Sequence, residues 1–194
     1  MPTPKVIVPP VAEPVTLAQM RQHLRDDPDL PTDAAEDVDL GSKISAAREM
    51  LEHRIGRAIG DQVLEIALDA FPADGVKLPM PPARAIVAVE YVDGDGALQT
   101  LDPLGYWLDD WQSPAWLLPA VGATWPATRQ QANSVRVRYR AGYTTCPAPL
   151  VEWIKLTVGS MYLNREGEII APRASLQAKF EFVERLVDRY RVYD

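Results

Sequence analysis

One cysteine and two histidines are all this sequence offers toward chemistry that needs a thiol or an imidazole. Cys146 alone excludes an intramolecular disulfide and suits a reducing cytoplasm. His23 and His53 each stand without a second ligand three or four residues away, so neither a metal site nor a Ser-His-Asp triad is supported. Both read as helix-surface residues. A Gly-rich phosphate loop is lacking too. Gly94 and Gly96 of Asp93-Gly94-Asp95-Gly96 sit in a hairpin turn, not between a strand and a helix. No apolar run reaches membrane-spanning length and no charged-then-apolar leader opens the chain, so neither insertion in a membrane nor export by a signal peptide is expected. Nothing in the residues calls for a cofactor, and no enzymatic activity is expected.

Positive charge is also in short supply. Twenty Lys and Arg face 27 Asp and Glu, a formal net charge of −7 over 194 residues. Residues 1–60 carry 7 − 10 = −3, residues 61–149 carry 6 − 10 = −4, and residues 150–194 carry 7 − 7 = 0. A protein whose main task is to grip nucleic acid needs a basic footprint, and this balance argues against one. It stays compatible with a surface that DNA passes without tight binding.

What is present divides into three parts. Residues 1–15 hold Pro2, Pro4, Pro9, Pro10 and Pro14, which deny a regular helix and favour an extended arm. Such a segment is either a disordered tail or an arm that orders on a partner. Residues 16–60 and 150–194 read as a helical frame. Thr16 is placed to cap Leu17–Leu24, with Gln19 completing a capping box. Ile44, Ala47, Leu51, Ile55 and Ala58 recur at three- and four-residue steps and form one apolar stripe, with Lys43, Arg48, Glu49, Glu52 and Arg57 opposite and Gly60 as the stop. After residue 150, Trp153, Leu156, Ser160 and Leu163 share a helical face, and Leu176, Phe180, Val183, Val187 and Tyr190 follow a four-three step.

Residues 61–149 change period. Val63–Leu68, Ile86–Val92 and the alternating Val135-Arg136-Val137-Arg138-Tyr139-Arg140 are strand-like, separated by Asp-Gly and Asp-Pro turn signals. The expected fold class is α+β, a small helical bundle frame with an inserted antiparallel β-sandwich or barrel-like module. Tyr106, Trp107, Trp111, Trp116 and Trp125 cluster in the insertion. They read as the core of a small module, with an exposed binding platform as the other possibility. Asp109-Asp110 could be a carboxylate pair for acid–base or metal work. Neighbours on a strand point to opposite faces, however, which favours solvated acids. Arg136, Arg138 and Arg140 form the one positive stripe, read as a wet sheet face paired with acids.

Several stretches resemble phage head–tail connector (adaptor) proteins. Leu17-Ala18-Gln19-Met20-Arg21-Gln22-His23-Leu24-Arg25 resembles the opening helix of that family. Ile44-Ser45-Ala46-Ala47-Arg48-Glu49, Glu52 and Gly56-Arg57-Ala58-Ile59 resemble its second-helix signature. Val137-Arg138-Tyr139-Arg140-Ala141-Gly142-Tyr143, then Cys146-Pro147 and a helix ending Met161-Tyr162-Leu163-Asn164-Arg165-Glu166, is similar to the variant with a β insertion between the helices. The resemblance spans roughly residues 16–168, and its specificity lies in the ordered set rather than in any one piece.

The resemblance implies a structural subunit of a homo-oligomeric, dodecameric ring in the virion neck, beneath the portal protein. The ring would join the DNA-filled head to the tail, or to a stopper or tail-completion protein, after assembly in the bacterial host cytoplasm. Genomic DNA would pass through without tight binding. On this expectation Ile44, Arg48, Leu51, Glu52 and Ile55 pack the ring, and Phe180, Val183, Val187, Tyr190 and Tyr193 within residues 173–194 dock on the portal. The alternative is a monomeric carbohydrate- or ligand-binding β module with helical flanks, using Trp107, Trp111 and Trp116.

Overall fold

The computed structural model describes residues 2–24, 34–163 and 183–192. The architecture is α+β, and the chain falls into two compact units. Residues 1–11 and 56–144 form a β unit; residues 12–55 and 145–194 form a helical unit. The seams lie at 55/56 and 144/145, a few residues ahead of the changes in sequence character at 60/61 and 149/150.

Eight strands make the β unit: β1 (Lys5–Val8), β2 (Gln62–Leu68), β3 (Val76–Lys77), β4 (Ala83–Val92), β5 (Leu98–Thr100), β6 (Tyr106–Asp109), β7 (Trp116–Pro119) and β8 (Val135–Ala141). They form a five-stranded sheet in the order β1-β2-β8-β4-β5 and a three-stranded sheet in the order β3-β7-β6, antiparallel throughout. No closed barrel forms among the described residues. The alternation of β8 explains its central place. Val135, Val137, Tyr139 and Ala141 point inward and are buried, while the three arginines point out. Leu64, Ile66 and Val89 of the large sheet join Val76, Leu78 and Leu117 of the small sheet's side in one core. Tyr139 keeps its polar end satisfied there by donating to the Pro79 carbonyl at 2.6 Å, and burial holds its phenol well above the usual pKa.

The Asp93-Gly94-Asp95-Gly96 run is the β4–β5 turn. The Asp93 carboxylate accepts from the Asp95 and Ala97 amides and from Gln99 Nε2 at 2.8–3.1 Å. Those bonds, the one from Gln99 foremost, keep it below the ordinary aspartate pKa. The first residues of the chain are strand rather than arm alone: β1 pairs with β2, so the surface that orders Lys5–Val8 lies within the same chain.

The helical unit holds α1 (Leu17–Leu24), α2 (Ala34–Ile55) and α3 (Ala148–Leu163). The capping box forms as read: the Thr16 amide donates to Gln19 Oε1 at 2.9 Å and the Gln19 amide to Thr16 Oγ1 at 3.2 Å. Two details differ from the sequence reading. The long helix stops at Ile55, not at Gly60, because Gly56 takes φ +67° and turns the chain. Ala58 therefore leaves the stripe, joins the β-unit core and donates its amide to the Pro81 carbonyl. On α3 the inward face is Leu150, Trp153, Ile154, Val158, Gly159 and Tyr162, whereas Ser160 and Leu163 are exposed. Two adjacent apolar stripes compete on this hydrophobic helix, and the one through Ile154 and Val158 packs inward.

Candidate functional site

Four groups of residues carry the functional expectations. On α2, Ile44, Leu51 and Ile55 are enclosed by the chain's own core. Arg48 and Glu52, expected on the charged face, are 5% and 6% exposed. Arg48 donates through Nε to Glu13 Oε2 at 2.8 Å, through one terminal nitrogen to Glu52 Oε2 at 2.8 Å, and through the other to Glu49 Oε1 at 3.3 Å. Ser45 Oγ donates to Glu13 Oε1 at 2.8 Å. Burial works to lower the Arg48 pKa, but the Glu13 hydrogen bond and the charges of Glu52, Glu13 and Glu49 outweigh it, and the pKa is raised. Glu13 is what converts a surface pair into a buried network, and sequence reasoning missed it. The available signal was an acid beside Val15 inside a proline-rich stretch; Val15 is fully buried.

The described C-terminal segment folds back on the end of α2. Val183–Arg185 are helical and Asp188–Tyr190 make one 3-10 turn. Glu184 pairs with Arg54 and, at 3.3 Å, with Arg191, while the Val192 amide donates to the Ile55 carbonyl at 2.9 Å. Val187 is wholly buried; Val183 and Tyr190 are half-buried. Leu176, Phe180 and Tyr193 lie outside the described residues.

The aromatic cluster does not form a common core. Trp111 is 94% exposed at the β6–β7 turn, and Trp107 is also exposed. Trp107 stands opposite Leu118, and Trp116 opposite both Asp109 and Lys77. That register puts Trp107, Leu118 and Trp116 on the face turned away from the buried Leu117 and Val76. Alternation along a two-sided ribbon, not residue size, keeps Trp107 and Trp116 off the face that meets the core. Trp125 is half-buried and stacks on Phe71, centroids 4.6 Å apart at 7°. Asp109 accepts from the Trp111 amide at 3.2 Å and Asp110 is exposed. Among the described residues no group of three or more His, Cys, Asp or Glu side chains is placed to hold a metal.

On the outer face of the large sheet Arg138 donates to Glu65 at 2.5 Å and reaches Glu90 at 3.3 Å, and the Glu65 bond foremost raises its pKa. Arg140 lies 3.5 Å from Asp61, and Arg84 pairs with the same carboxylate at 2.7 Å. Arg136 is exposed. Beyond β8, Gly142 has φ +111° and donates to the Pro82 carbonyl at 3.0 Å, and the Tyr143 amide donates to the Ile59 carbonyl at 3.2 Å. In the helical unit an open polar cleft of about 400 Å³ is lined by Gln19, Gln22, His23, Glu152 and Lys155.

No protein-family model and no curated protein matches the chain. Its fold is shared with chains of gene transfer agent (GTA) particles. A chain from the neck of an empty GTA particle computed with C6 symmetry is similar at TM-score 0.76 and 24% identity, covering 99% of this chain and 96% of that one. A chain from the virion of a native gene transfer agent particle gives 0.72 and 24%, covering 97% and 96%. One from the neck of a native GTA particle computed with C12 symmetry gives 0.70 and 23%, with the same coverage.

Proposed function

We propose that this chain is a structural neck protein of a phage-like particle. It acts as a connector (adaptor) subunit of a dodecameric ring beneath the portal, joins the head to the tail or to a stopper or tail-completion protein, and is assembled in the host cytoplasm. The observation that carries the reading is the likeness along almost the whole of both chains to subunits of necks computed with C6 and C12 symmetry. In this reading α2 is a stiff strut. Ile44, Leu51, Ile55 and the Arg48–Glu52 pair hold it from within, while Val38, Glu49 and Met50 are exposed toward a neighbour. Residues 173–194 dock on the portal, with Val187 as the inward anchor of that segment and Phe180 and Tyr193 among the contacts. Arg138 and Arg140 of β8 engage acids, and DNA slides past without being gripped.

Co-expression with portal protein, followed by mass measurement, tests this. The expected product is a complex holding twelve copies of the 21.5 kDa chain. Recovery of a monomer both with and without portals overturns the reading. Exposure of Trp107 and Trp111 favours a second reading, a ligand-binding β module that uses them with Trp116. A monomer that binds glycans and loses binding on Trp111→Ala would establish it instead.

A further inference from the structure

The N-terminal strand is attached to the β unit in an unusual way. All four residues of β1 are exposed, three of them apolar (Val6, Ile7 and Val8), and none belongs to the β-unit core. β1 is an edge strand that pairs with β2, with Lys5 opposite Glu65, Val6 opposite Leu64 and Val8 opposite Val63, and with an irregularity between Val6 and Val8. β2 is held independently on its other side, where all seven residues from Gln62 to Leu68 pair with β8. The core therefore does not depend on β1.

The chain leaving β1 is pinned a few residues later. Glu13 is bound by Ser45 and Arg48, and Val15 is fully buried. Between pin and strand lie Pro9, Pro10, Val11 and Ala12. The two prolines lack amide donors and keep the connection extended, so it can neither prolong the pairing nor coil into a helix. Val11, within it, is 97% exposed. The result is a detachable apolar strand on a stiff leash, with its matching edge visible on the same molecule.

We propose that in the assembled ring residues 5–8 pair with β2 of a neighbouring copy of this chain instead of with their own. This rests on the ring reading above. The occupant is identified by the intrachain pairing itself: an identical segment makes the same main-chain bonds to an identical edge. Exchange thus loses no hydrogen bond and gains whatever cover the neighbour gives Val6, Ile7, Val8 and Val11. Each copy gives one strand and receives one, a head-to-tail relation that can close into a ring. Five residue steps from Val8 to Glu13 reach about 17 Å, which sets how near the neighbour's β2 must lie.

Cross-linking decides between the two pairings. Lys5→Cys and Glu65→Cys chains are co-expressed with different tags, and a double variant with both substitutions in one chain is expressed alone. All also carry Cys146→Ala and are oxidised in the assembled state, with mass measured on the same sample. The paired α-carbons lie within disulfide reach, so whichever pairing exists is captured. A disulfide joining the two differently tagged chains within a ring is the expected result. A ring in which only the double variant cross-links, and only within one chain, overturns the exchange and leaves the ring reading standing. A monomer with the same internal cross-link overturns both. As an independent measure, removing residues 2–8 should abolish the ring while leaving the melting temperature of the chain within a few degrees. A ring of unchanged mass after the deletion sinks the proposal.

Discussion

Gly142 and Gly60 meet backbone to backbone: a methyl group built on the Gly142 α-carbon would lie 1.9 Å from the Gly60 carbonyl oxygen. The left-handed turn at Gly142, φ +111°, thus directs the exit from β8 along the start of β2. The contact explains why a glycine stands in the Tyr139–Tyr143 stretch on which the family resemblance leans.

Gly142→Ala combines a steric clash against main chain with a disfavoured φ. It should destabilise the fold by about 3 kcal/mol or more. Urea denaturation followed by tryptophan fluorescence checks this, and an unchanged midpoint would show that the two strand ends can separate freely.

Arg48→Ala leaves the carboxylates of Glu13 and Glu52 without the cation they share in a largely buried site. The expected loss is about 3–5 kcal/mol. Combining Arg48→Met with Glu13→Gln and Glu52→Gln should restore most of it, because the loss comes from stranded charge rather than from a missing attraction. If the triple variant is no better than the single one, the network matters for its geometry and not its charge.

The tryptophans separate by environment. Trp111→Ala should change stability by less than about 0.5 kcal/mol, as expected for an exposed side chain. Trp125→Ala removes a stacked partner of Phe71 and should destabilise by about 2–3 kcal/mol. Equal effects in thermal melts would contradict the two placements.

Burial pushes the Cys146 thiol up to about 11, above its ordinary value. The folded state holds this proton more tightly, so the associated stability is complete below pH 9 and is lost as pH rises toward 11. At pH 8 the folded chain should carry roughly 100-fold less thiolate than the unfolded chain, and iodoacetamide should modify it correspondingly more slowly. Equal alkylation rates in native buffer and in urea would refute it.

Duplex DNA should show no measurable binding to the isolated protein at physiological salt. The net charge is −7, and the central arginine of the β8 stripe is held by two glutamates. Fluorescence anisotropy across a salt series checks this. Sub-micromolar affinity with a steep salt slope, lost when Arg136, Arg138 and Arg140 are replaced, would make the protein a DNA binder.

Elements with an uninterrupted period were legible in the chain. The capping box at Thr16, the stripe Ile44–Ala47–Leu51–Ile55, the alternation of β8 and the Asp93 turn all depend on residues within one or two helical turns or strand pairs. The short strands β3, β5, β6 and β7 were not, since two to four residues hold too little pattern to separate strand from loop. The C-terminal stripe was visible, but not that Val187 turns inward while Glu184 bridges Arg54 and Arg191.

The order of amino acids alone determined the α+β class, the central strands and the long helix, because those follow from local periodicity and the burial it demands. Only the tertiary structure decided which charges are inside. Arg48 is buried because Glu13, 35 residues earlier in the chain, closes over it. Likewise Lys5–Val8 are a strand only because the edge of β2, some sixty residues away, supplies their hydrogen-bond partners. Both outcomes rest on contacts between segments far apart in sequence, and local pattern carries no information about which distant segment will arrive.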